Sequence, residues 1–258
     1  MTEVSELSAV DFSALADAGW PALARSAAAG WQLRFAEGVT KRANSAWSGD
    51  GAADASIEAL AAVEAAYRAE GLAPLFQLSS AEDGVRQRLL GSGYREVDET
   101  LVLAASLDAL AASPRDESIA IADAPDDEWL AAWWAVDGRG GEAELAVARR
   151  ILTGVPALYA ALRAEGAIVS VARLALVGAW GGLYCVATLP EHRRRGHSER
   201  VVRALLAAGA ERGLTDAWLQ VLARNTGAIA LYERFGFAEV ERYRYLVGQL
   251  RAPAAAGR

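Results

Sequence analysis

The feature that most constrains this chain is an order of elements that occurs twice. Residues 56–71 carry apolar side chains at helical spacing, 75–78 read as a short strand, 82–90 as a second helix and 94–103 as a longer strand. The same order returns over 198–213, 218–221, 228–235 and 237–247. The match extends to single residues at one junction, where Gly93-Tyr94-Arg95-Glu96-Val97-Asp98 is echoed by Gly236-Phe237-Ala238-Glu239-Val240-Glu241. Alanine-rich helices resemble one another by composition alone, but a shared four-element order with a common Gly-aromatic-x-Glu-Val junction is a stronger sign of one α/β architecture used twice.

The most polar interruption between the copies is 112–118, where Pro114 disfavours helix in the residue before it and the charges favour solvent. The expected organisation is therefore a first domain over 1–112, a linker over 113–118, a second domain over 119–250 and a flexible tail over 251–258. In the second domain, 126–136 opens with two carboxylates, which suits the positive end of a helix dipole, and 142–152 reads as another helix. Apolar stretches at 158–162, 167–177 and 183–189, separated by turn signals, suggest a meander whose last strand leads into the helix at Ser198.

Of the 258 residues, 53% are hydrophobic, enough for a proper core, and the net charge of −7 opposes generic nucleic-acid binding. The single cysteine, Cys185, and two histidines supply no disulfide framework and no metal-ligand set of the usual spacing. The first residues have neither a basic nor an apolar secretory region, and no run of about 18 apolar residues is present to span a bilayer. The expectation is a soluble cytoplasmic protein, monomer or homodimer, with neither nucleic acid nor membrane as a partner.

Chemistry concentrates between Leu183 and Glu199. A strand ends at Pro190, an arginine-rich loop follows, and a long amphipathic helix starts within two residues of Gly196. The first amides of a helix have no intrahelical acceptor, glycine lets backbone approach a ligand closely, and arginines add charge and paired donors. The arrangement suits a diphosphate. Lys41 is the only lysine, so this half has no P-loop lysine, and no G-x-G-x-x-G follows a strand here.

The loop Arg193-Arg194-Arg195-Gly196-His197-Ser198 resembles the [RQ]-x-x-G-x-[GA] signature of the GCN5-related N-acetyltransferases, with Ser198 replacing the last small residue and suited to capping the helix. About 30 residues on, the run from Asn225 to Phe237 resembles that family's N-x-x-A-x-x-L-Y-x-x-x-G-F. The resemblance covers roughly half of the chain, from Ile119 to Val247. It implies two tandem units, each a mixed, mostly antiparallel sheet flanked by helices, the first a degenerate copy as in bacterial tandem members. It further implies acetyl-coenzyme A as cosubstrate and transfer of acetyl to a primary amine by direct attack, without a covalent enzyme intermediate.

By the same resemblance, backbone groups of Val186, Ala187 and Thr188 hold the pantetheine. The loop of Arg193, Arg194, Arg195, Gly196, His197, Ser198 and Glu199 binds the diphosphate, Asn225 contacts the cofactor, and Tyr232 protonates the departing thiolate. Asn225 is equally suited to capping its helix and Tyr232 to lining a core. Where relatives that acetylate protein N-termini carry a glutamate, this chain has Gln220; Glu191, Asp216, His192 or a water chain are alternatives as base, and none is singled out. Cys185, inside an apolar strand, is expected to be a buried structural thiol. The segment 47–55 that matches the loop in the first copy has Asp50 and Asp54 and no arginine, which would repel a diphosphate.

The preferred acceptor is a small or amino-acid-like amine. A protein lysine or N-terminal amine is an alternative, and a non-catalytic acyl-coenzyme A sensor is the alternative from another class. Arg34, Arg42 and Asn44 are candidates for acceptor contacts or ordinary strand-surface residues. Trp133, Trp134 and Tyr184 are candidates for an aromatic pocket or for the core.

Overall fold

A computed structural model describes residues 10–49, 53–108 and 116–249. Positions 113–115 of the expected linker, the expected tail over 251–258 and Asp50 lie outside the described residues. In chain order the first elements are α1 (Phe12–Gly19), β1 (Ala24–Ala28), β2 (Trp31–Phe35), β3 (Ala46–Trp47), α2 (Ile57–Ala69), β4 (Leu75–Ser79), α3 (Asp83–Gly91) and β5 (Arg95–Ser106). There follow β6 (Ile119–Ala122), α4 (Asp127–Asp137), α5 (Glu142–Leu152), β7 (Ala157–Ala164), β8 (Ala167–Val177) and β9 (Trp180–Thr188). Last come α6 (His197–Glu211), β10 (Asp216–Leu222), α7 (Thr226–Glu233) and β11 (Ala238–Val247).

The compact units are not the sequential halves. One comprises Ala22–Thr100 with Glu241–Arg258, the other Met1–Pro21 with Leu101–Val240. Two long strands explain the difference, because β5 and β11 each begin in one unit and end in the other. The side chains of β5 change character at the crossing: residues 95–99 are exposed or half-buried, whereas the apolar run 101–105 is buried throughout, as in an interior strand.

In the smaller unit the strand order is β1-β2-β3-β4-β11. β3 and β4 run parallel, with Ala46 opposite Phe76, and α2 makes the crossover between them. Alternation along the strands sends Trp31, Leu33, Phe76 and Leu78 to one face, where Leu60, Val63 and Tyr67 of α2 cover them. Arg242 and Arg244 of β11 both pair with Glu99 of β5, at 2.9 and 3.0 Å.

In the larger unit the order is β5-β10-β9-β8-β7-β6. Strands β7 to β9 form the expected antiparallel meander, β6 adds to its edge antiparallel to β7, and β9 and β10 are parallel, with α6 as the crossover. Val201, Val202, Leu205 and Leu206, at helical spacing, place one face of α6 in the core. The N-terminal α1 also belongs here. Arg173 of β8 is fully buried, donates to the carbonyls of Gly19 and Leu152 at 3.0 Å each, and lies over the rings of Trp20, Tyr159 and Tyr184. A Cβ at Gly19 would stand 2.9 Å from both Trp218 and Tyr184, so only glycine permits this approach.

Trp133 and Tyr184 are accordingly core residues rather than a pocket wall. They are buried against Trp20, and Trp133 packs edge-on to the half-buried Trp134.

Candidate active site

The site starts from an irregularity in β9. Val171 and Arg173 of β8 stand opposite Ala187 and Tyr184, so β9 carries one extra residue across this interval. Cys185 absorbs it with a left-handed φ of 55°. A bulge bends its strand. The paired register of β9 with β10 ends at Leu183 opposite Leu219, immediately before the bulge. Val186, Ala187 and Thr188 therefore lie where the two parallel strands have parted. Cys185 itself is half-buried rather than fully enclosed as expected, because the bulge turns it out of the regular pleat.

Thr188 ties the end of this strand to the next helix. Its hydroxyl lies 2.7 Å from Ser170 Oγ and 2.8 Å from Ser198 Oγ, and its carbonyl accepts from Arg193 Nε at 3.1 Å. Ser198 is thus not the helix cap that its residue type suggested; it sits inside the first turn with its hydroxyl committed to Thr188.

The cap position is Gly196, in the left-handed region at φ 77°, and no side chain bonds to the helix start. The first intrahelical bond is Arg200 N–H to the Gly196 carbonyl, at 3.1 Å. The amides of His197, Ser198 and Glu199 precede it and have no acceptor within the helix. A Cβ on Gly196 would meet nothing within 4 Å, so the space before the helix is open. Arg193, Arg194 and Arg195 are exposed around it.

A carboxylate in the first turn would oppose an anionic ligand unless neutralised. Glu199 is neutralised by Arg234 at 3.0 Å and Arg203 at 3.2 Å, which hold its carboxyl below the usual range and fasten α6 to the end of α7. Arg200 is engaged by Asp116 at 2.8 Å and by Ser118 Oγ at 2.6 Å, and this hydrogen bonding holds the Asp116 carboxyl at about 2. Burial, with Arg200, His192 and Arg195 nearby, pushes His197 below the ordinary histidine value and favours its neutral form.

Tyr232 reaches the core from α7. It is 7% exposed, packs edge-on to Phe237, and burial pushes its phenol up to about 12. Asn225 caps the same helix, its Oδ1 accepting from Ala228 N at 3.2 Å. Gln220 lies just past the last paired position of β10 and is half-buried. Asp216 stands at the start of that strand, three residues before the last paired position, Leu219. Glu191 and His192 lie in the turn before the loop.

In the smaller unit, Asn44 is committed to the loop before it. Its amide donates to the carbonyls of Val39 and Thr40, and its Oδ1 accepts from the amides of Ala36 and Gly38. Arg34 donates to Ser45 and Gln77 and is buried rather than on the strand surface. Among the described residues, no group of three or more His, Cys, Asp or Glu is placed to hold a metal ion, and no helix is long and apolar enough to cross a membrane.

An uncapped helix behind a left-handed glycine, beside a strand that has parted from its neighbour, is the geometry that the two motifs imply. The sequence model of the family described as "Probable histone acetyltransferase Rv0428c C-terminal" matches residues 5–246. The chain belongs to this family. It is thereby a member of the GCN5-related N-acetyltransferase superfamily and an acyltransferase.

Within the family, the chain is 29% identical over 240 residues to the protein named probable histone acetyltransferase Rv0428c of Mycobacterium tuberculosis, covering 91% of this chain and 72% of that one. It is 26% identical over 239 residues to the N-acetyltransferase YobR of Bacillus subtilis, covering 90% of this chain and 96% of the other. A GCN5-related N-acetyltransferase of Kribbella flavida shares the fold, with a TM-score of 0.66 over 91% of this chain and 94% of its own, at 20% identity.

Proposed function

We propose that this acyltransferase moves acetyl from acetyl-coenzyme A to a primary amine of a small, amino-acid-like acceptor by direct attack, using the larger unit. The observation that carries the reading is the open, uncapped start of α6 behind Gly196. Its residues fit the cosubstrate: the amides of His197, Ser198 and Glu199 and the charges of Arg193, Arg194 and Arg195 would hold a diphosphate. The parted backbone of Val186, Ala187 and Thr188 would hold the pantetheine amides, with Asn225 at the edge in addition to its capping role. When bound, the cosubstrate supplies the activated acyl thioester.

Tyr232 holds a proton at its hydroxyl throughout the working pH range, because burial keeps the phenol neutral. At about 12 it is a weaker acid than an ordinary thiol, near 8.5. Its role is therefore to donate a hydrogen bond to sulfur as charge develops, while the proton lost by the amine balances the one that the thiol finally keeps. A protein amine is the second reading, supported by the name of the mycobacterial relative.

A thiol-release assay with acetyl-coenzyme A and a panel of amino acids, polyamines and lysine peptides tests both. Turnover on the amino-acid-like amines is the expected result. Turnover confined to peptides selects the second reading, and cosubstrate binding without turnover on any amine overturns both.

A further inference from the structure

Three hydroxyls run in a line from the interior of the larger unit to the start of α6. Ser170 of β8 is 1% exposed, and Thr188, paired with it on β9, is 7% exposed. Ser170 Oγ donates to the Ala187 carbonyl at 3.1 Å and lies 2.7 Å from Thr188 Oγ1, which in turn lies 2.8 Å from Ser198 Oγ. Each hydroxyl has a single proton to give. Because a carbonyl can only accept, the Ser170 proton is spent on Ala187, so Thr188 donates to Ser170 and Ser198 donates to Thr188. The direction of the whole line is thereby fixed.

The hydroxyl proton of Ser198 is thus given to Thr188, which leaves this side chain with lone pairs and no donor for an anion. Only its amide is free to serve a diphosphate. The line also joins two places that are otherwise weakly held. The register of β9 with β10 has ended by Leu183, so Ala187 and Thr188 keep a paired neighbour only in β8. The first turn of α6 has no side-chain cap. Thr188 braces both, with its hydroxyl on Ser198 and its carbonyl accepting from Arg193 Nε at 3.1 Å. Hydrogen bonds in a buried line polarise one another, so the link is stiffer than its separate parts. The superfamily signature has glycine or alanine where this chain has Ser198, and neither could make the link.

We propose that Ser170, Thr188 and Ser198 are positioning residues that lock the first turn of α6 to the strand holding the pantetheine, so that the diphosphate and the pantetheine of coenzyme A meet anchors already set at a fixed spacing. Setting the spacing before binding removes an ordering cost that a long, flexible ligand otherwise carries. The lock rests on the acetyl-coenzyme A reading of the site and adds to it a part for side chains that the superfamily signature does not contain.

Calorimetry on the full chain with coenzyme A, and with ADP as a competitor that carries a diphosphate and no pantetheine, tests the lock. Ser198→Ala installs a residue that the signature allows and a better helix former, so the fold should survive. Its coenzyme A affinity should fall about three- to tenfold, while its ADP affinity changes by less than about twofold. Thr188→Val should lose at least as much, and Thr188→Ser, which keeps the hydroxyl, should recover to within about twofold. Adding Ser198→Ala to Thr188→Val should bring no further loss, because both break the same line. A hydroxyl that touched the diphosphate directly would instead weaken ADP and coenzyme A equally. That outcome, unchanged coenzyme A affinity in Ser198→Ala, or additive losses in the double variant would each overturn the lock while the acetyl-transfer reading stands. If the unmodified chain binds no coenzyme A, that reading falls and the lock falls with it.

Discussion

The two crossover helices, α2 and α6, begin in opposite ways on the same scaffold. Each follows the first strand of a parallel pair and packs an apolar face on its own sheet. At α6 the cap is a left-handed glycine with no side chain to satisfy the first amides. At α2 the Ser56 hydroxyl accepts from Ala59 N at 3.2 Å, while Asp54 accepts from Ser56 N at 2.8 Å and from its Oγ at 2.7 Å. Those hydrogen bonds from Ser56 lower the Asp54 carboxyl below its usual range. The shared fold supplies a helix dipole in both places; whether that becomes an anion site depends on whether the chain has already supplied its own anion and cap.

The largest effect expected from this contrast is on cosubstrate binding. Gly196→Asp would give α6 the acidic start that α2 has, and aspartate tolerates the left-handed backbone better than most side chains, so the fold should survive. Calorimetry with coenzyme A should show affinity falling about 100-fold, with the melting temperature changed little. Unchanged affinity would mean that the diphosphate is held elsewhere.

A second contrast lies four residues before each junction glycine, where the larger unit has Tyr232 and the smaller has the fully buried Leu89. Removing only the hydroxyl in Tyr232→Phe should lower kcat by about 10- to 100-fold while leaving coenzyme A affinity unchanged. With the phenol at about 12, the kcat profile should show no descending limb from this residue up to about pH 10, where an ordinary tyrosine would be half-ionised. A limb near pH 10 that disappears in Tyr232→Phe would contradict the buried setting of the phenol.

These contrasts also show what could be read in advance. The repeat was legible because apolar periodicity and the Gly-aromatic junction are local features, and the loop because Gly196 and its arginines carry the chemistry in their own side chains and backbone. Three things were not local. The left-handed turn at Cys185 violates that residue's preference and follows from the register with β8, which no short window contains. Ser198 looks like a cap, yet the partner that claims it is Thr188 on the preceding strand. The division into compact units follows where the apolar stretch 101–105 of β5 is buried, a long-range property that the polar composition of 112–118 does not report.

A smaller effect belongs to the cap of α2. Ser56→Ala should cost about 1 kcal/mol of stability, the usual worth of such a cap, and should leave coenzyme A affinity and kcat untouched. Loss of cosubstrate affinity in this variant would mean that the smaller unit contributes to the cosubstrate site after all.

The smallest expected effect concerns the carboxylate that each helix start keeps nearby. Beside α2, Asp54 serves Ser56 at the cap; beside α6, Asp116 is drawn off by Arg200, one turn along, and leaves the first amides alone. The Asp116 carboxyl sits at about 2 in the folded chain, below its ordinary value near 3.8. Its contribution to stability is therefore fully present above about pH 4 and is lost as the pH falls through about 2. With 30% of the Asp116 side chain and 42% of the Arg200 side chain exposed, solvent screening limits that contribution to below about 1 kcal/mol. The stability difference between the unmodified chain and Asp116→Asn, measured by denaturant unfolding, should shrink between pH 5 and pH 2 and diminish in high salt. A difference that stayed constant over this range would show that Asp116 acts through packing or its hydrogen bond to Ser118, and that the Asp116 carboxylate is held from the first amides of α6 by something other than charge.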